Sequence, residues 1–199
     1  MDRFREIAST LRAVDAGEVL RPPPAVLGGF SGEQLVTALC LLAGRLSVAD
    51  ACYVEIGVFQ GLTLLSVAAA NPELPCFGID DFSQFDRDGR NRSVVESRRA
   101  ALGLANATVI DLDYEEALDR LPAHVGGRSV GVLFVDGPHD YRSQLMGLVL
   151  ALPHLAPDAV IVVDDCNYAH VRQANRDFLV AFPEFRLLFE AYTPRHPMN

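Results

Sequence analysis

The chain has 199 residues, with 26 acidic against 17 basic side chains and a net charge of −9. That length suits a single domain whose core needs no staples, and with half the residues hydrophobic, wholesale disorder is excluded. A sequence pI near 4.9 argues against a nucleic-acid backbone or an anionic membrane surface as partner, since both need clustered Lys and Arg.

The N-terminus, Met1-Asp2-Arg3-Phe4-Arg5-Glu6, carries early charges and leaves no apolar signal-peptide core. A short polar helix is predicted over Arg3–Val14. Arg21-Pro22-Pro23-Pro24 must be extended, because each proline fixes its own φ and restrains its predecessor. Residues 1–30 therefore read as an N-terminal helix plus a Pro-rich linker or lid, and 31–199 as the main domain. Ser31, with Gln34 three residues on, reads as a capping box opening a helix to about Leu46.

An alternation follows. Strands are predicted at Tyr53–Ile56, Cys76–Ile79, Thr108–Ile110, Val130–Val135 and Ala159–Val163. The helices after them are Leu62–Ala70, Arg92–Leu102, Tyr114–Leu121, Tyr141–Leu155 and Val171–Phe182. Arg186–Ala191 is a candidate last strand. Continuous apolar strands are covered on both faces, so this pattern predicts a doubly wound α/β fold with a mostly parallel sheet. No apolar run approaches the roughly 20 residues that span a bilayer. Cys40, Cys52, Cys76 and Cys166 form no C-x-x-C pair and read as reduced, mostly buried thiols, so the expected location is the cytoplasm.

In such a sheet ligands sit beyond the carboxyl ends of the strands. Acidic residues stand at or just past all five ends: Glu55, Asp80 and Asp81, Asp111 and Asp113, Asp136, and Asp164 and Asp165. After the first strand Gly57 permits a tight turn, and Gly61 lets a ligand approach the helix start closely. The G-x-G-x-x-G dinucleotide pattern is absent. Glu55 would repel a pyrophosphate and suit a positively charged ligand, while Asp80 can accept both ribose hydroxyls. Asp136, Asp164 and Asp165 follow neighbouring strands, whose ends lie only about 5 Å apart. Three converging carboxylates suit Mg²⁺; without a cation one of them would stay protonated. The competing reading for either Asp164 or Asp165 alone is a turn or helix cap.

The run Val54-Glu55-Ile56-Gly57-Val58-Phe59-Gln60-Gly61-Leu62-Thr63, followed by Phe77-Gly78-Ile79-Asp80, resembles the S-adenosylmethionine site of class I methyltransferases, which have a Rossmann-like fold. The closer similarity is to the small O-methyltransferase branch with the motif E-x-G-x-x-x-G-x-S/T. The resemblance implies that Glu55 and the Gly57 turn hold the methionine end of the cofactor and that Asp80 holds the ribose. It points to Asp113 beside the adenine, with Asp111 the alternative. Asp136-Gly137-Pro138-His139-Asp140-Tyr141, followed by a strand ending Asp164-Asp165, resembles metal-dependent methyltransferases acting on antibiotic sugars. That likeness implies Asp136, Asp164 and Asp165 as metal ligands, His139 as general base, and Asp136 as part of the catalytic set. Asn167 and Tyr168 are candidates for substrate contact or loop packing, and His170 reads as a helix-start residue.

The chain departs from this pattern in two places. Pro157-Asp158-Ala159 stands where the family has a Gly-Gly turn before the fifth strand, and only one strand candidate follows the last helix, so the C-terminal strand pair is shortened. The Pro-rich segment and Asp81–Asn91 must then supply much of the substrate lid. The expectation is a Mg²⁺-assisted, S-adenosylmethionine-dependent O-methyltransferase for a small hydroxylated molecule. A homodimer or larger assembly is expected to protect the apolar stretch Phe185–Tyr192. Two alternatives are a catalytically silent nucleoside-binding module of the same fold and an NAD-dependent oxidoreductase; the missing glycine pattern argues against the second.

Overall fold

A computed structural model describes residues 3–45 and 50–192. Five strands, β1 (Ala51–Ile56), β2 (Cys76–Ile79), β3 (Ala107–Ile110), β4 (Ser129–Val135) and β5 (Leu155–Val163), form one sheet in the order β3-β2-β1-β4-β5. Every pairing is parallel. The helices are α1 (Arg3–Asp15), α2 (Glu33–Ala43), α3 (Leu62–Ala70), α4 (Asn91–Ala101), α5 (Tyr114–Asp119), α6 (Leu121–His124), α7 (Tyr141–Ala151) and α8 (Ala169–Ala181). The sheet is doubly wound as the alternation predicts. None of the described helices is long and apolar enough to cross a membrane.

The strands read as apolar runs because both faces are buried. On one face Tyr53, Val132 and Phe134 meet Leu39 of α2 and Leu64 of α3. On the other, Val54, Ile56, Leu133 and Val135 meet Leu118 of α5 and Leu148 of α7. Helix α1 joins the first cluster through Ile7 and Leu11.

Several element boundaries differ from the sequence reading, each for a local reason. Helix α2 begins after Gly32, which takes the extended N-cap geometry without a side-chain cap bond, so Ser31 lies one residue outside the helix. The expected end at Leu46 falls outside the described residues. Arg120 stands between α5 and α6, and Pro122, in the first turn of α6, has no amide with which to continue the α5 ladder. Pro153 lies in a 3₁₀ turn, Leu152–His154, that stops α7 short of Leu155 and lets β5 start there.

The expected strand at Arg186–Ala191 does not form. Phe182 and Phe185 pack on Phe178 of α8, with ring centroids 4.9 and 5.2 Å apart, on the α7 face of the sheet. Leu188 packs on the opposite face. The chain therefore crosses the outer edge of β5 instead of running beside it, and a crossing segment cannot form a ladder. A cavity of about 600 Å³ lies between this segment, β5, α1, α2 and α8.

Candidate active site

The strand order reverses between β1 and β4, and there the two halves of the site meet. Backbone pairing runs one residue past the strand ends. The Gly57 amide donates to Ile79 O, Asp80 to Ile110 O, Asp136 to Ile56 O and Asp164 to Val135 O, all at 2.9–3.1 Å. This register sets Gly57, Asp80, Asp136 and Asp164 in one row. Gly57 has φ +92, and a Cβ there would stand 1.9 Å from the Asp136 carbonyl oxygen. Its lack of a side chain is what lets the β1 turn touch the β4 turn.

Glu55 is wholly buried on β1. Tyr53, two residues earlier on the same strand face, donates its hydroxyl to Glu55 Oε2 at 2.7 Å; Thr63 of α3 donates to Oε1 at 3.1 Å. Burial is the largest influence and pushes the carboxyl up to about 8, although both hydrogen bonds pull it down. The side chain that suggested a charged ligand contact is thus held beneath the turn, neutral below pH 8. The spacing of Tyr53 and Glu55 is visible in the sequence, but nothing in it assigns Tyr53 or Thr63 to the Glu55 carboxyl.

Asp80, at the end of β2, fastens the turn. Its Oδ2 accepts from the amides of Val58 and Phe59, both at 2.8 Å, and its Oδ1 accepts from Phe82 at 2.7 Å. Of roughly four acceptor positions on a carboxylate, three are taken. Gln60 extends the turn outward by donating to Asn91 Oδ1 at 3.0 Å, and Asn91 holds the Phe85 carbonyl. Gly61 is the left-handed N-cap of α3. Beyond β3, Asp113 caps α5 through the Glu115 amide at 2.8 Å, and Asp111 pairs with Arg92. Both are exposed.

The β4 and β5 ends carry a different chemistry. Ligand atoms of Asp136, His139 and Asp165 lie within 4.8 Å of one another. His139 Nε2 stands 2.8 Å from Asp165 Oδ2. Asp165 adopts φ +54, and Asp164 Oδ1 accepts the Asp165 amide at 2.7 Å. The group therefore takes in His139 together with two of the three carboxylates read from the sequence, while Asp164 braces the turn beside them. Burial, then Asp164 and Asp165, raises the Asp136 carboxyl well above the usual range. The hydrogen bond to Asp165 raises His139, against the opposing effect of burial. Tyr168 stacks on His170 at 5.5 Å and lies 5.8 Å from His139. The His170 ring in turn contacts the His139 carbonyl.

These groups suit two tasks. The donor set of two carboxylates and an imidazole fits a divalent cation. The His–Asp pair alone fits a proton acceptor oriented by a carboxylate.

A model of a Methyltransferase domain family matches residues 54–166, more than half of the chain. Calicheamicin methyltransferase CalS11 superposes with a TM-score of 0.62 at 16% identity, over 87% of this chain and 83% of that one. An apo structure of CalS11, described as a TDP-rhamnose 3'-O-methyltransferase, gives 0.60 at 18% over 87% and 84%. The SAH-bound Podospora anserina methyltransferase PaMTH1 gives 0.57 at 14% over 93% and 80%. No curated protein sequence matches. At such identities the structural likeness speaks for the fold, and the family follows from the match over 54–166. The chain belongs to the Methyltransferase domain family and is an enzyme of methyl transfer with a class I, Rossmann-like fold.

Proposed function

We propose that the protein transfers the methyl group of S-adenosylmethionine to a hydroxyl of a small molecule, a sugar or other secondary metabolite. The observation that carries this reading is the His139–Asp165 pair at 2.8 Å beside Asp136, across the strand-order reversal from the glycine turn. The donor supplies an activated methyl, so the protein must align a hydroxyl with it and remove one proton. His139, held by Asp165, accepts that proton. The CalS11 description adds a sugar hydroxyl as a precedent on the same fold.

On the donor side, Gly57 and Gly61 keep the turn open to the methionine end, with Glu55 supporting it from below. Asp80 offers its remaining acceptor position to the ribose. Asp113, with Asp111 the alternative, is the residue this reading sets beside the adenine. On the acceptor side, Asp136 and Asp165, with Asp164 beside them, would hold a Mg²⁺ ion. When bound, the ion makes a coordinated hydroxyl more acidic. A second reading makes His139 a ligand, favoured by its place in the same 4.8 Å group. A second copy of the chain is proposed to cover the outer edge of β5, where Leu187 and Tyr192 are exposed and no strand pairs among the described residues.

The test is methyl transfer from labelled donor to a panel of sugars and phenols, with and without chelator. Chelation should abolish turnover, Mg²⁺ should restore it, and donor binding should persist throughout. Full turnover in chelator removes the metal and leaves a base-only enzyme. Mg²⁺ binding that survives His139→Ala supports the base role; loss of the ion supports the ligand role.

A further inference from the structure

The donor turn carries an aromatic pair that neither the fold nor the acceptor chemistry requires. Phe59, inside the Gly57–Gly61 turn, stacks on Phe30 of the Pro-rich segment, with centroids 4.9 Å apart and planes 25° from parallel. Phe59 sits at φ +50, a left-handed conformation that a phenylalanine seldom adopts. Phe30 is 73% exposed, so burial does not explain its position.

The segment is fastened where it is. One Arg98 nitrogen, reaching from α4, donates to Gly28 O at 2.9 Å and to Gln60 O at 2.6 Å, tying segment and turn together. A Cβ on Gly29 would stand 2.9 Å from Leu62 Cβ, so only glycine lets the chain lie this close to the start of α3. Leu27 anchors the same stretch in the core.

The carboxylates of this turn are engaged elsewhere. Glu55 is wholly buried, with both oxygens bonded, and Asp80 is occupied by three amides. Asp80 keeps one acceptor position, which the reading above gives to the ribose, so the phenyl rings are what the turn has left to offer a cation.

We propose that the Phe30–Phe59 pair, positioned by Arg98, recognises the positive sulfonium of the methyl donor and so favours the donor over its product. This rests on the S-adenosylmethionine reading above. In the reaction the acceptor oxygen forms the new C–O bond and its proton goes to the base. The S–CH₃ bond breaks with its electron pair left on sulfur, which becomes a neutral thioether. An aromatic face attracts the first species and is indifferent to the second. The pair is thus a discriminating element that helps spent product leave.

The experiment is calorimetric titration of S-adenosylmethionine and S-adenosylhomocysteine, separately, into wild type, Phe30→Leu, Arg98→Met and Arg98→Lys. Phe30 is exposed, so its leucine variant should melt as wild type does. Donor affinity should fall about fivefold in Phe30→Leu and in Arg98→Met. Product affinity should change less than about twofold, the mark of lost charge recognition without lost packing. Arg98→Lys, whose ammonium stands one bond short of the guanidinium nitrogen that makes both contacts, should fall between wild type and Arg98→Met for the donor and leave product affinity unchanged. Equal weakening of both ligands, or no change in either, overturns the proposal. Binding of neither ligand by wild type overturns the donor-site reading itself, a distinct result.

Discussion

The β1–β2 end and the β4–β5 end of the same sheet are built on opposite principles. At the first, carboxyl groups are fastened by hydrogen bonds: Glu55, wholly buried, by Tyr53 and Thr63, and Asp80, half-buried, by three amides, with one acceptor position left open. At the second, Asp136, His139, Asp164 and Asp165 are half-buried; burial, then the neighbouring Asp164 and Asp165, raises the Asp136 carboxyl, and the hydrogen bond to Asp165 raises His139. A network of fixed hydrogen bonds sets a shape, which suits a ligand that must be held in one pose. A strained cluster of titratable groups suits proton transfer or a cation. On the proposed function, the contrast separates binding from reaction along one row of strand ends.

Variants at the two ends should fail differently. The largest expected effect is at the acceptor end. His139→Ala should slow the methyl-transfer step roughly 10²–10⁴-fold in single turnover, with donor affinity intact. Full activity would pass the base role to a carboxylate, Asp136 first. At the donor end, Gly57→Ala should damage the fold. With a Cβ aimed at the Asp136 carbonyl, we expect a loss of about 3 kcal/mol and a drop of roughly 5–10 °C in Tm. A melt unchanged within about 1 °C would show that the two turns can separate freely.

A smaller effect concerns pH. The Glu55 carboxyl is raised from 4.5 in the open chain to about 8 in the fold. The native state then holds a proton that the unfolded chain has released. The resulting contribution is fully present below about 4.5 and is lost as pH rises through about 8. Thermal melts from pH 5 to 8 should show wild type losing ground to Glu55→Gln. Parallel curves would mean that Glu55 is already ionised at pH 5.

The repeating strand–helix frame was legible because apolar strands such as Val132–Val135 and the turn glycines announce themselves locally. So was the row of acidic strand ends, since a parallel sheet aligns them. The particulars that escaped depend on distant contacts or on backbone rotation. Spacing alone cannot tell which of Asp164 and Asp165 turns toward His139; φ +54 at Asp165 decides it. The Arg98 clip joins residues 38 and 70 positions apart in the chain. The apolar stretch after α8 had the composition of a strand, yet Phe185 and Leu188 anchor it to opposite faces of the sheet.

The division between the two ends is tested most directly by titrating S-adenosylmethionine into wild type, Asp80→Ala and Asp136→Asn, each verified by thermal melt. Wild type should bind. Asp80→Ala should bind at least about tenfold more weakly, because the turn loses its fastening and the ribose its acceptor. Asp136→Asn should bind as wild type does, since the proposed function sets its task with the acceptor. Equal loss in Asp136→Asn and Asp80→Ala, or no binding by wild type, would contradict the account.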